Sequence, residues 1–274
     1  MKKTIQWARD EWGIFARREE MGAREMTRWL RQWVPFGART IGYGTVSLTL
    51  GPLTPEHAAS TWAMKAWSKA SLTGLGIDAT VRGADRVPPG GLLYAANHQS
   101  LLDILVLGAV LPGDLKWAAK RSLMNIPFLG WHLALSGHVP VERRAGRRAA
   151  VETIRRFEQV LRAGKQLLVF PEGTRSEDGT VKDFKNGGFH AAVRAGVRVV
   201  PVALDGTYRL MGKHAPDTGD MHRPRRVIVE IGEPILPGGD GKEKGRVEAL
   251  RDRAREAVGS MHERLREELE PSPS

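Results

Sequence analysis

The chain has 274 residues and a formal net charge of +11, from 42 Lys plus Arg against 31 Asp plus Glu. It has no Cys, which excludes a disulfide framework, a thiolate metal site and a Cys nucleophile. A basic surface favours an anionic partner, whether nucleic acid, anionic lipid or a phosphorylated substrate, and charge alone does not choose among these.

The first forty residues interleave Trp7, Trp12, Phe15, Trp29, Trp33 and Phe36 with Lys and Arg. Two readings stand side by side. Rings and cations together suit a membrane–water interface, and the same Trp residues suit a helix packed on a neighbouring domain. The basic start lacks an apolar core, so no secretory signal is expected. No uninterrupted apolar run reaches the roughly 18 to 20 residues needed to cross a bilayer. The nearest, residues 33–53, is broken by Arg39, several Gly and two Pro. Thr54-Pro55-Glu56 then opens a second helix, with Thr54 as N-cap and Pro55 at the first helical position. Ala59, Trp62, Ala63, Ala66, Trp67 and Ala70 form its apolar stripe, which runs to about Gly74.

From Ile77 the texture changes. Strands are predicted at 79–82, 92–96, 115–118, 139–142, 166–170, 199–204 and 227–231. Helices are predicted at 101–111, 147–163, 187–195 and 246–269. The last is highly charged and packs through one narrow stripe. This alternation predicts an α/β fold, a mixed sheet flanked by helices, with an N-terminal two-helix membrane-associating extension. The expected division is a helical region over 1–75, an α/β domain over 76–240, and a charged helix and tail over 241–274.

The chemistry centres on residues 94–103, YAANHQSLLD. A strand delivers Asn97 and His98 to its end, a polar turn follows, and Asp103 enters the next helix. Loops at strand ends in α/β proteins are held by a rigid scaffold. A His needs an acceptor on one ring nitrogen if the other is to take a proton, and Asp103 lies close enough to supply it. The same Ser100-x-x-Asp103 spacing also reads as a helix capping box. FPEGTRS, residues 170–176, projects Glu172 and Arg175 from a tight turn at another strand end. GHVPVERR, residues 137–144, ends a strand in Arg143 and Arg144. Arg147 and Arg148 then begin a helix against its macrodipole, a cost that a bound anion would offset. Lys120 and Arg121 follow a third strand. A His–Asp pair with separate cations at strand ends suggests general-base chemistry on a phosphate-bearing substrate. A serine hydrolase is disfavoured because no GxSxG elbow is present. A metal site is disfavoured because His98 lacks an HExxH or HxH partner.

NHQSLLD resembles the NHxxxxD motif of the glycerolipid acyltransferase family, which includes the 1-acyl-sn-glycerol-3-phosphate acyltransferases. GHVPVERR, FPEGTRS and VPVAL (residues 200–204) resemble further blocks of that family in the right order. The second block departs from it at Pro140 and Glu142, where an apolar residue and an Asp are usual. The resemblance implies that His98 is the general base for an acceptor hydroxyl and Asp103 its orienting partner. It implies acceptor-phosphate contacts from Lys120, Arg143 and Arg175, and an acceptor pocket shaped by Glu172, Gly173 and Thr174. The implied reaction needs no metal and no cofactor beyond an acyl-CoA or acyl carrier protein thioester as co-substrate. Its implied partners are lysophosphatidic acid, an anionic membrane surface and, as one donor form, acyl carrier protein, with no nucleic acid. The implied location is the cytoplasmic face of the inner membrane, monotopic or peripheral. Two alternatives are the same chemistry on another lysolipid, a lyso-ornithine lipid or a lysophospholipid, and a non-catalytic basic protein that binds membrane or nucleic acid.

Overall fold

The structure, a computed structural model, describes residues 22–142, 146–212, 225–238 and 241–270. Trp7, Trp12 and Phe15 lie outside these residues, as does the side chain of Trp29. In chain order the helices and strands are α1 (Ala23–Leu50), α2 (Ala58–Gly74), β1 (Asp78–Arg82), β2 (Leu92–Ala96), α3 (Leu102–Val110), β3 (Leu115–Lys120), α4 (Leu129–Leu135) and β4 (Val139–Val141). Then follow α5 (Arg147–Arg162), β5 (Gln166–Val169), α6 (Gly187–Ala195), β6 (Arg198–Asp205), α7 (Thr207–Met211), β7 (Arg226–Ile231) and α8 (Glu243–Leu269). Every predicted strand is present, with no end displaced by more than two residues. The two short helices α4 and α7 carry too few turns to leave a periodic signal.

The strands form one sheet in the order β1-β7-β6-β2-β5-β3-β4. Neighbours are parallel except β6 and β7, so the sheet is mixed, as the alternation implied. The central strand β2 is buried along its whole length, which is why it reads as a continuous apolar run. Leu92, Tyr94 and Ala96 face one layer with α2 and α3, and Leu93 and Ala95 face the other with α5, α6 and α8. The stripe of α8 is Val247, Leu250, Ala254, Val258, Met261 and Leu265, all buried and spaced by three or four residues. Because β2, β3, β5 and β6 run parallel, their C-terminal ends share one edge of the sheet, the edge at which open α/β sheets place ligands.

The N-terminal helices differ from the expectation in three ways. First, α1 is a single helix that carries Pro35 inside it and ends at Leu50, a boundary the sequence did not define. Second, α2 begins at Ala58, because a 3-10 turn over Pro55–His57 precedes it with Glu56 and His57 at positive φ. Thr54 Oγ1 still accepts the Ala59 amide at 3.0 Å, one turn later than a standard N-cap. Third, the buried face of α2 is Ser60, Ala63, Met64, Ser68, Ser71 and Leu72, and Trp62 is 58% exposed. Close backbone approach explains this face. A Cβ on Gly51 would lie 2.2 Å from Ser60 Oγ, and one on Gly108 of α3 would lie 2.6 Å from Ser68 Oγ. The crossings require small residues, and an apolar stripe would not fit them. Trp67 Nε1 also donates to Thr40 Oγ1 at 3.0 Å, tying α2 to α1. Among the described residues no helix is long and apolar enough to cross a membrane.

Ser68 separates the two consequences of such a crossing. Its hydroxyl is buried with no hydrogen-bond partner among the described residues. Ser68→Ala is expected to be neutral or to stabilise by about 1 kcal/mol. Ser68→Leu is expected to cost about 1–3 kcal/mol through overpacking. Thermal denaturation of the two variants checks the opposite signs.

Candidate active site

Each group at the shared sheet edge is placed by a strand end. Asn97 continues the β2–β6 pairing with its side chain: Nδ2 donates to Leu204 O and Oδ1 accepts the Leu204 amide, both at 2.9 Å. This rung fixes where His98 emerges. The imidazole then stacks on Phe170, with ring centroids 3.9 Å apart and 12° between planes. Phe170 follows β5, so two neighbouring strands grip one ring. Ser176 N donates to His98 O at 2.7 Å and closes the loop from the other side.

Asp103 sits in the first turn of α3 and is fully buried. His98 Nδ1–H donates to its Oδ2 at 2.8 Å. The amides of Gln99 and Ser100 donate to the same oxygen at 2.7 and 2.9 Å. One carboxylate oxygen therefore accepts from the ring and from two amides of the turn. With Nδ1 protonated toward Asp103, the neutral imidazole carries its basic lone pair on Nε2.

Glu172 is also buried, and it turns inward. Its Oε1 accepts the His98 amide at 2.8 Å and its Oε2 the Lys182 amide at 3.3 Å. Burial pushes its carboxyl up to about 7, the charge of Asp103 adding to the effect and the two amides opposing it. Gly173 has φ +77°, and a Cβ there would lie 2.5 Å from Lys185 Nζ. Its amide donates to Phe170 O at 3.0 Å, so it is committed to the turn.

His98 borders a cavity of about 210 Å³ whose walls are otherwise mostly apolar. Trp33, Phe36 and Tyr43 of α1, Met64 and Trp67 of α2, and Trp117 of β3 are among its lining residues. Lys120 and Arg175 line it as well. His132 of α4 also lines it, with Nδ1 2.6 Å from Ser47 Oγ. Burial brings its pKa down to about 4, so this imidazole is uncharged at neutral pH. Among the described residues no group of His, Asp and Glu is placed to hold a metal ion.

Of the residues singled out from sequence, His98, Lys120 and Arg175 meet at this cavity. Asp103 and Glu172 stand behind His98, and Glu172, Gly173 and Thr174 are not among the cavity walls. Arg143 lies outside the described residues. Sequence reasoning passed over Phe170 as a ring partner, Gln99 and Thr207. Thr207 Oγ1 donates to Asp103 Oδ1 at 2.6 Å from 104 residues away, a separation that no local pattern reveals.

A family model described as Acyltransferase matches residues 78–205, from the start of β1 to the end of β6. A 1-acyl-sn-glycerol-3-phosphate acyltransferase of Saccharomyces cerevisiae is 32% identical over 231 residues, covering 83% of this chain and 70% of that protein. The chain belongs to the glycerolipid acyltransferase family. A 1-acyl-sn-glycerol-3-phosphate acyltransferase of Chlamydomonas reinhardtii is 37% identical over 185 residues, which is 66% of this chain. The match spans about half, 52%, of that algal protein's length. Among solved structures, the 1-acyl-sn-glycerophosphate (LPA) acyltransferase PlsC from Thermotoga maritima superimposes with a TM-score of 0.68 at 28% identity, over 90% of this chain and 100% of that one. The α/β fold of this chain, a mixed sheet flanked by helices, is thus shared with a solved relative.

The raised Glu172 has a pH signature. Its folded pKa of about 7 lies above the usual 4.5, so the folded state holds the proton more tightly. The stability this contributes is complete below pH 4.5 and is lost as pH rises through 7. Glu172→Gln cannot titrate. Denaturant unfolding at pH 5 and pH 8 should show the variant gaining about 1–3 kcal/mol on the wild type across that interval. An unchanged difference would show that the carboxyl is already ionised at pH 5.

Proposed function

We propose that the chain is a 1-acyl-sn-glycerol-3-phosphate O-acyltransferase. It would move a fatty acyl group from an acyl-CoA or acyl carrier protein thioester to the sn-2 hydroxyl of lysophosphatidic acid, giving phosphatidic acid. The observation that carries this reading is the Asp103-held imidazole of His98 at the wall of an apolar cavity shared with Lys120 and Arg175. The names of the relatives support the acceptor class.

In this mechanism His98 Nε2 takes the proton of the acceptor hydroxyl as that oxygen attacks the thioester carbonyl. The carbon–sulfur bond then breaks, and the imidazolium returns the proton to the departing thiolate. No acyl-enzyme forms. A hydroxyl is a weak nucleophile at neutral pH, and a positioned base contributes about a hundred- to ten-thousand-fold. Asp103 stabilises the imidazolium formed in between. Lys120 and Arg175 hold the acceptor phosphate, and the guanidinium of Arg175 presents a fork matched to its oxygens. The apolar cavity takes a hydrocarbon chain.

Both lipids reside in a leaflet, so the site must open at a membrane surface. We assign this contact to the N-terminal helices, lying on the cytoplasmic leaflet. Leu30, Val34 and Ile41 are exposed and repeat at four and seven residues along one stripe of α1. Leu53, Trp62 and Trp131 are exposed as well. Apolar burial with attraction of basic groups to anionic lipid is the usual basis of such attachment.

The decisive assay offers the purified protein lysophosphatidic acid, lyso-ornithine lipid and other lysophospholipids with each thioester donor. Phosphatidic acid is the expected product, and His98→Ala is expected to lose about a hundred- to ten-thousand-fold in kcat while folded. Near wild-type turnover in folded His98→Ala protein would falsify the mechanism. For the membrane assignment, the double variant Trp62→Ser, Trp131→Ser should bind anionic liposomes more weakly and turn over vesicle substrate more slowly. Its rate on a short-chain soluble acceptor should change little. A parallel loss on both acceptors would return the two rings to a purely structural role.

A further inference from the structure

We propose that Thr207 is a positioning residue for the reaction, acting through Asp103 on His98; this rests on the general-base reading above. Asp103 receives four hydrogen bonds, and they are divided unevenly. Oδ2 accepts from His98 Nδ1 and from the amides of Gln99 and Ser100. Oδ1 accepts from Thr207 Oγ1 at 2.6 Å, and among the described residues it has no other donor. Both residues are fully buried, so bulk water cannot replace that bond.

The fold places this hydroxyl deliberately close. β6 pairs with β2 in parallel register, Ala96 opposite Val202, and runs on to Asp205 beyond the end of β2, alongside the segment that carries His98. Gly206 then turns the chain at φ +105°, where a Cβ would lie 2.4 Å from Arg226 O. Thr207 follows as the first residue of α7, over the His98 loop. Its hydroxyl has one proton, and the choice of acceptor is settled by distance: Asp103 Oδ1 at 2.6 Å against Gln99 Oε1 at 3.4 Å. Gln99 is itself pinned, its Nε2 donating to Gly179 O at 2.8 Å and lying 2.7 Å from His262 Nε2 on α8. The bond between Thr207 and Asp103 therefore has a fixed frame on both sides. Thr207 and His262 lie beyond the stretch that the family model matches.

Two effects follow. The carboxylate cannot rotate about its Cβ–Cγ bond, so Oδ2 stays aligned with Nδ1. The donated proton also draws charge from the carboxylate and so moderates its pull on the imidazolium. Other titratable groups face the pair: Glu172 on the His98 amide, Asp205 and His262 through Gln99, and Lys120 and Arg175 across the cavity. None of them bonds to Asp103 Oδ1. Thr207 does not line the cavity, so its loss should not touch substrate affinity.

The test compares Thr207→Val with Thr207→Ser in the full chain. Thr207→Val keeps the shape and removes the hydroxyl, and Thr207→Ser keeps the hydroxyl. Thr207→Val should lower kcat about ten- to a hundredfold, as loss of a partner behind an oriented His does elsewhere, with KM for the acceptor within about twofold. The acidic limb of its kcat/KM profile should move to higher pH by about half a unit or more, and Thr207→Ser should restore both values. Wild-type kcat and an unmoved limb in Thr207→Val would overturn the proposal. An equal loss in both variants without a shift of the limb would do the same, since that is what a packing role produces. NMR titration of the His98 imidazole supplies a readout without turnover. Its midpoint should rise in Thr207→Val and not in Thr207→Ser. If the wild type transfers no acyl group to any acceptor, the reaction reading fails while the midpoint still decides whether Thr207 acts on His98.

Discussion

A carboxylate removed from water must be surrounded by donors or it will not stay ionised. Asp103 meets that constraint without Lys or Arg among its hydrogen-bond partners, and the loop around it is shaped by how. Two of its four donors are backbone amides of the very turn that carries His98. Removing the carboxylate would leave the Gln99 and Ser100 amides buried and unpaired, so the loop and the ring orientation depend on the same atom. The constraint also explains the spacing. Four residues separate His98 from Asp103, which lets a strand end, fold back and begin a helix whose first turn reaches the ring. The strand, the turn and the helix are then a single device for holding an imidazole.

This device was legible in the sequence because all of it except one donor is local. NHQSLLD contains the ring, the carboxylate and both amides within seven residues. The cations Lys120 and Arg175 were legible for a different reason: each follows an apolar run, and parallel strands bring their C-terminal ends to one edge. What sequence reading could not see is non-local. Thr207 looks like any residue opening a short helix, and only the β2–β6 register puts it on Asp103. Glu172 and Arg175 share one turn, and nothing local tells that one faces inward to an amide while the other borders the cavity. The buried face of α2 was misread for a related reason. Periodicity selects the largest apolar side chains, but its crossings with Gly51 and Gly108 select the smallest ones.

The N-terminal helices are built into the site and also present apolar residues to the outside. Inside, they supply a wall of the cavity through Trp33, Phe36, Tyr43, Met64 and Trp67. Polar clamps hold that wall against the sheet. Thr61 of α2 donates to Asp114 Oδ1 at 2.9 Å, and Lys116 of β3 donates to the same oxygen at 2.7 Å. Lys165 reaches both Asp114, at 3.3 Å, and Glu56. Burial alone would raise the Asp114 carboxyl, and these donors together hold it below its usual value. Outside, Val34, Ile41 and Trp62 remain uncovered. One helix pair thus serves as both cavity wall and apolar exterior.

The two buried carboxyls of the site show how similar groups acquire different behaviour. Asp103 and Glu172 both bond to His98, one to its ring and one to its backbone amide. Two negative charges so near each other resist being ionised together. Their donors differ. Asp103 has four, including the short Thr207 bond, whereas Glu172 has two amides, one of them at 3.3 Å. Burial thus wins at Glu172 and brings it to about 7. The proton that Glu172 takes up near neutrality is then held behind the imidazole, on the backbone side, where it reduces the negative charge around His98 without competing for its ring nitrogens. The uneven supply of donors distinguishes the two carboxyls, and that supply comes from the segments that follow β2, β5 and β6 at one edge of the sheet.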